Sequence, residues 1–187
     1  MDKKILTFVG MPGAGKTEAV SYLEKKGIPF VRFGQFVEDG VKEKGLELTQ
    51  ENERKVREEL REKLGMGAMA IKAKPKLEDL LRNNDVIAID GLYSWEEYNI
   101  LKEKFPKLIL IHIFAEPHKR YERLAKRKIR PLSFKAYERD VAELEKLNKG
   151  GPIAIADYLI ENNNDNMEDF YSAIDQLLNR LGISSSK

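Results

Sequence analysis

No cysteine occurs among the 187 residues. That excludes disulfides, thiolate nucleophiles and cysteine metal sites together. Histidine is nearly as scarce: His112 and His118 are the only two, too few for a zinc site without several carboxylates. No apolar stretch approaches the roughly 18 residues that a membrane span needs, and the opening Met-Asp-Lys-Lys runs straight into a short apolar segment. Neither a membrane anchor nor an export signal is therefore expected, and a cytoplasmic monomer or homodimer is the expectation. An excess of one charge is also lacking. The 33 basic and 31 acidic residues leave +2, a balance that gives no reason to expect nucleic acid as a partner.

What the chain does have is dense charge, 34% of residues, beside a hydrophobic share of 42%. At this length that suits one α/β domain with a real core. Compact apolar runs at 5–9, 29–33, 86–90, 108–114 and 157–161 read as strands. Leu-Ile-Leu-Ile-His-Ile-Phe at 108–114 is the strongest, and a continuous run of this kind fits a parallel strand covered on both faces. Helical patterns separate the runs: 15–26, 36–44, 49–64, a segment from Met69 to Leu81, 94–105, 117–128, 133–148, and a final amphipathic face from Met167 to Leu181. Thr49 and Ser94 are helix-start signals, and Pro75 is expected to kink or divide its helix. The alternation predicts a three-layer fold with a five-stranded parallel sheet.

Gly10-Met11-Pro12-Gly13-Ala14-Gly15-Lys16-Thr17 matches G-x-x-x-x-G-K-[ST] at every fixed position and lies between a strand and a helix, which is the context the motif requires. Successive backbone N–H groups must turn inward onto phosphate oxygens, and glycine permits the dihedrals this takes. The helix starting near Gly15 adds its positive end. Lys16 is expected to neutralise the β- and γ-phosphates of ATP, and the Thr17 hydroxyl to ligate Mg²⁺. Asp90 ends the run Val86-Ile87-Ala88-Ile89 and precedes Gly91. A carboxylate at the end of a buried strand beside the phosphate loop is placed to hold Mg²⁺ or to orient or deprotonate an acceptor hydroxyl.

Four stretches in this order resemble P-loop nucleoside-monophosphate kinases, above all dephospho-CoA kinase and an archaeal family related to it. They are residues 10–17, Asp90-Gly91-Leu92, Arg120-Tyr121-Glu122-Arg123-Leu124-Ala125-Lys126-Arg127, and Ala156-Asp157-Tyr158-Leu159-Ile160-Glu161-Asn162-Asn163. The resemblance implies an adenylate-kinase-like P-loop fold with a helical acceptor region at about 34–82 and an arginine-bearing lid at about 119–148. It implies that Arg123 packs near the adenine, that Arg127 touches the triphosphate and stabilises charge in transfer, and that Asn162 and Asn163 lie beside the base. Arg130 and Arg139 are further lid candidates. Phosphoryl transfer asks for positioning and several positive charges around the equatorial oxygens. The basic segment Lys119, Arg120, Arg123, Lys126, Arg127, Lys128 and Arg130 can supply them, or can be a solvated helix face.

The chain departs from the pattern after its second strand, where related kinases often carry Gly-Asp and this one has Gly34-Gln35. Arg57 and Arg61, four apart on one helix face, either clamp an acceptor phosphate or pair with Glu53, Glu58 or Glu62. His112 reads as a core histidine and His118 as a helix-start residue. Tyr93, Trp95 and Tyr98 either pack in the core or stack on an acceptor base. No Asn-Lys-x-Asp guanine motif is present. The leading expectation is an ATP- and Mg²⁺-dependent phosphotransferase acting on a nucleotide-like small molecule. The alternative is a nucleotide-dependent regulatory or binding ATPase without such an acceptor.

Overall fold

The computed structural model describes residues 3–127 and 135–183. In chain order the elements are β1 (Lys4–Val9), α1 (Lys16–Lys25), β2 (Phe30–Arg32), α2 (Phe33–Glu43), α3 (Gln50–Leu64), α4 (Ala68–Asn83), β3 (Val86–Asp90), α5 (Trp95–Lys104), β4 (Leu108–Phe114), α6 (Pro117–Ala125), α7 (Ala136–Leu147), α8 (Gly150–Ala154), β5 (Tyr158–Glu161) and α9 (Met167–Arg180). The strands form one sheet in the order β2-β3-β1-β4-β5, and every pairing is parallel. The alternating strand–helix pattern requires this, because parallel neighbours need crossover connections.

The strand pleat divides the core into two layers. Ile5 and Val9 of β1, with Ile87 and Ile89 of β3 and Leu108 and Leu110 of β4, pack against α2 to α5. Leu6 and Phe8, with Ala88, Ile111 and Ile113, face α1 and α9. Both faces of the sheet are covered, which is why the strand sequences read as continuous apolar runs.

Local signals account for most boundaries. Thr49 Oγ1 accepts from Asn52 N at 3.2 Å and starts α3. Ser94 and Glu97 form a reciprocal capping box at the start of α5. Two expectations are corrected: Pro75 does not divide its helix, and Gly34-Gln35 does not form the turn after β2. Pro75 stands inside a single continuous α4. It lies on an exposed strip with Ile71, where water can take the carbonyl that the missing N–H leaves free. Residues Gly34 and Gln35 are not a turn but the first turn of α2, which begins directly after β2. A short helix, α8, which the sequence patterns do not indicate, occupies Gly-Gly-Pro-Ile-Ala.

Candidate active site

β1 lies between β3 and β4, so the loop leaving its C-terminal end opens between neighbours on both sides. Residues 10–17 form this loop. Two of its glycines are indispensable on geometric grounds. Gly13 has φ +82°, and a Cβ there would sit 2.6 Å from the Arg120 carbonyl oxygen. Gly15 caps α1 in the left-handed region at φ 107°, and its Cβ would lie 2.4 Å from Asn162 Nδ2. Any larger residue would push the loop off its supports.

Those supports come from distant segments. Asn162, buried just after β5, donates from Nδ2 to the Ala14 carbonyl at 2.8 Å. Arg120 of α6 donates to the Pro12 carbonyl at 3.1 Å and to the Ala115 carbonyl at 3.1 Å. It also forms a two-pronged pair with Asp140 of α7, at 3.1 and 2.7 Å. Tyr121 adds a hydroxyl donor to the same carboxylate at 3.0 Å. The phosphate loop is therefore braced from below by β5 and from the side by α6 and α7.

Lys16 turns back onto its own loop, donating to the Gly10 carbonyl at 2.8 Å and the Met11 carbonyl at 3.1 Å. Burial, and next the Lys149 ammonium, push the Lys16 ammonium down to about 7. A group so destabilised as a cation gains from any polyanion that reaches it. Beside it, the exposed Thr17 donates from Oγ1 to Asp90 Oδ2 at 3.1 Å. Burial raises the Asp90 carboxyl above its ordinary value, while Lys16 and Thr17 oppose the rise. The hydroxyl and carboxylate are hard oxygen ligands at the edge of a phosphate cradle. As a donor set they fit Mg²⁺, whose remaining ligands would be phosphate oxygens and water. No cluster of three or more His, Cys, Asp or Glu suited to a metal occurs among the described residues.

Beyond Asp90 the chain places a group of cations around Tyr93. Lys149, at the start of α8, is only 1% exposed. It pairs with Glu143 of α7, and its ammonium lies 4.8 Å from the centroid of the Tyr93 ring. Arg139 reaches the same Glu143 from one turn earlier, at 3.1 Å. Burial alone would raise the Glu143 carboxyl, but Lys149 and then Arg139 outweigh it and hold it below the usual carboxylate range. Arg61 of α3 is partly buried, and its Nε has no hydrogen-bond partner among the described residues. Its electrostatic neighbours are Glu97, Arg57, Tyr93 and Glu143. Arg127 is exposed and feels Arg139 and Tyr93.

The sequence-proposed residues thus fall into groups. Gly10, Met11, Pro12, Gly13, Ala14, Gly15, Lys16, Thr17 and Asp90 share one site. Arg57, Arg61, Arg127 and Arg139 converge on the Tyr93 side of it. Arg123 donates to the Asn162 and Asn164 carbonyls at 2.8 and 3.1 Å. Asn163 accepts from Glu116 N at 2.8 Å. These contacts place Arg123, Asn162 and Asn163 in the architecture of the loop after β5. Gln35 is bonded to Arg32 at 2.9 Å and to Asp39 at 2.7 Å, while Arg32 also chelates Glu38 at 2.8 and 2.6 Å. The expectations for Arg130 and Lys128 fall outside the described residues. Within the basic segment, Lys119 pairs with Asp165 and Lys126 with Glu122, so both belong to the solvated face. Trp95 and Tyr98 pack on one another with centroids 5.5 Å apart. His118 pairs with Glu116 at 3.2 Å. Burial, then Lys16, lowers the pKa of the half-buried His112.

Sequence reasoning missed Lys149, Glu143 and the bracing pair Arg120–Asp140. A lysine before Gly-Gly carries no local mark of burial. The spacing of Arg120 and Asp140, twenty residues apart on separate helices, leaves no periodic signal.

Sheet, glycine cradle, lysine and strand-end carboxylate define a protein with a P-loop, kinase-like α/β fold. Comparison agrees: a family profile described as "AAA domain" matches residues 6–145. The chain belongs to the UPF0200 family. It is 42% identical over 163 residues to a UPF0200 protein of Thermococcus onnurineus, covering 84% of this chain and 88% of that one. Among solved structures it is similar to TT1252 from Thermus thermophilus, with TM-score 0.69 and 15% identity, covering 97% of this chain and 99% of that one. It is also similar to shikimate kinase from Bacteroides thetaiotaomicron, with TM-score 0.61 and 15% identity, covering 96% and 98%. At such identities these structures fix the fold.

Proposed function

We propose that this protein is an ATP-binding phosphotransferase that moves the γ-phosphate of ATP to a nucleotide or nucleotide-like small molecule, of dephospho-CoA or nucleoside-monophosphate type. The observation that carries the reading is the 3.1 Å hydrogen bond from Thr17 to Asp90. It joins the phosphate cradle to a buried carboxylate.

In this reading residues 10–17 hold the triphosphate, and Lys16 leaves its carbonyl partners for the β- and γ-phosphates. Thr17 and Asp90 hold Mg²⁺, which neutralises charge on the phosphates when bound. Arg123, Asn162 and Asn163 border the base through the loop they organise. Gly34 and Gln35 line the acceptor approach, and Arg57, Arg61 and Arg139 face the acceptor. The acceptor oxygen attacks the γ-phosphorus while the bond to the bridging oxygen of ADP breaks. Where the acceptor is a hydroxyl, Asp90 orients it and takes its proton directly or through water; a phosphate acceptor attacks already ionised. Arg127 stabilises the equatorial oxygens in transfer.

ADP release from ATP with Mg²⁺ is to be measured across a panel of nucleoside monophosphates and dephospho-CoA. One acceptor is expected to raise it well above background, and Lys16→Ala to abolish the thermal shift caused by ATP. Hydrolysis unaffected by every acceptor would favour a regulatory ATPase. An undiminished ATP shift in Lys16→Ala would remove the basis of the proposal.

A further inference from the structure

Glu143 occupies an unusual position for a carboxylate in a recess of cations. Lys149 and Arg139 both bond it. Lys16 and Arg61 both count it among their electrostatic neighbours. Those four cations come from α1, α3, α7 and the start of α8, so the recess is assembled from the whole site, not from one helix. Tyr93, which follows Asp90-Gly91-Leu92 directly, lies against Lys149 and feels Asp90, Glu143, Arg139 and Arg57.

Two features show that this network is incomplete as it stands. Arg61 Nε is shielded from water and has no hydrogen-bond partner among the described residues. A buried guanidinium N–H left unmade is costly, and natural sites keep such donors where a ligand supplies the acceptor. Lys149, almost wholly buried, is bonded by one carboxylate, Glu143, which Arg139 shares, and Asp140 adds only a weaker electrostatic contribution. Glu143 is thus bonded by two cations and lies in the field of two more, Lys16 and Arg61, while Glu97, Asp90 and Asp140 stand near the same cations without bonding Arg61 Nε.

Building on the phosphotransferase reading, we propose that this recess is an anion subsite for the acceptor, in which Glu143 is the resident stand-in for an oxyanion of the substrate. The incoming group is a phosphate or a carboxylate. Its oxygens take Arg61 Nε and share Lys149, and Glu143 withdraws toward Arg139 or solvent. The subsite adjoins the phosphate cradle at Lys16, which has both Lys149 and Glu143 among its electrostatic neighbours. An acceptor anchored there by its anion brings a hydroxyl or phosphate oxygen toward the γ-phosphate. α7 carries both Glu143 and Asp140, and Asp140 is tied through Arg120 to the Pro12 carbonyl. Displacing Glu143 is therefore felt at the phosphate loop.

The full chain is loaded with AMPPNP and Mg²⁺ to fill the cradle, and inorganic phosphate and acetate are titrated by calorimetry. One of the two anions is expected to bind the loaded protein, and which of them binds identifies the acceptor's anionic group as phosphate or carboxylate. Arg61→Met is expected to weaken that binding by about tenfold, the scale of one hydrogen bond to a charged group. Glu143→Gln, which removes the internal competitor, is expected to tighten it, a gain that misfolding cannot produce. If the parent takes AMPPNP but neither anion, or if Glu143→Gln binds the anion no more tightly than the parent, the subsite is overturned while the phosphotransferase reading stands. If the parent takes no AMPPNP, the phosphotransferase reading falls first.

Discussion

The Lys16 ammonium is held between two opposed demands. Its own loop gives it two carbonyls at 2.8 and 3.1 Å, yet burial and the nearby Lys149 push it down to about 7. At pH 8 the free protein therefore carries Lys16 largely neutral. A bound polyphosphate places negative oxygens beside the same nitrogen and raises its proton affinity again. By linkage, nucleotide binding must draw a proton from the buffer, and affinity must fall as pH climbs from about 7 toward the ordinary lysine range. Calorimetric titration with ADP and Mg²⁺ at pH 8, in buffers of different ionisation enthalpy, is expected to show uptake approaching one proton per nucleotide. Lys16→Met is expected to lose that uptake together with most of the affinity. Binding in the parent that is independent of the buffer would mean that Lys16 is already charged when the cradle is empty.

At the scale of elements, the docking of α7 onto α6 rests on one buried pair. Arg120 and Asp140 have side chains only 5% and 9% exposed, and the same guanidinium braces the Pro12 carbonyl. Removing one charge leaves the other buried without compensation, which costs about 3 kcal/mol or more. Asp140→Asn is expected to lower the midpoint of urea unfolding accordingly and to weaken nucleotide binding through Pro12. An unchanged midpoint would show that α7 docks by apolar contacts alone. This pair also shows what the sequence conceals. β3 and β4 were readable to the residue, because their apolar runs are bounded by Asp85, Asp90 and Lys107 and buried on both faces. The cradle was readable because its motif is local. Of seven cations on one basic segment, nothing local singles out Arg120 as buried. That choice is made by a carboxylate on another helix. α8 was unreadable for a related reason. Its glycines and proline break isolated helices, and tertiary packing overrides that preference: a Cβ on Gly151 would meet the Trp95 ring at 2.7 Å, so glycine is what lets α8 lie against α5.

For the molecule as a whole, the sheet collects at the C-terminal ends of β1 and β3 groups whose charge folding disfavours, and this ties stability to pH. Glu97 is fully buried at the junction of β3 and α5. It accepts from Tyr93 N at 2.7 Å and Ser94 N at 3.2 Å, while its Oε1 has no partner among the described residues. Burial pushes its carboxyl up to about 7 from 4.5, against the two backbone donors. A folded-state value raised above the unfolded one means that the native chain binds more protons between pH 4.5 and 7. The stability due to this group is present below pH 4.5 and lost as pH rises through 7. Lys16 has the opposite sense: with its value lowered, the unfolded chain binds more protons between about 7 and 10.5, so its contribution grows with pH there. Other groups titrate in the same windows, so the decisive measurement is a difference. Free energies of unfolding of the parent and Glu97→Gln, taken every half unit from pH 4.5 to 8, are expected to diverge as pH rises. The parent loses on the order of 3 kcal/mol relative to the variant across the window, and the gap becomes constant above pH 8. The capping contacts survive in the variant, because the glutamine carbonyl still accepts from Tyr93 and Ser94, so lost helix capping cannot mimic the slope. Parallel curves would mean that water or a neighbouring cation satisfies Glu97 in solution, and that the junction beside the anion recess is wetter than its packing implies.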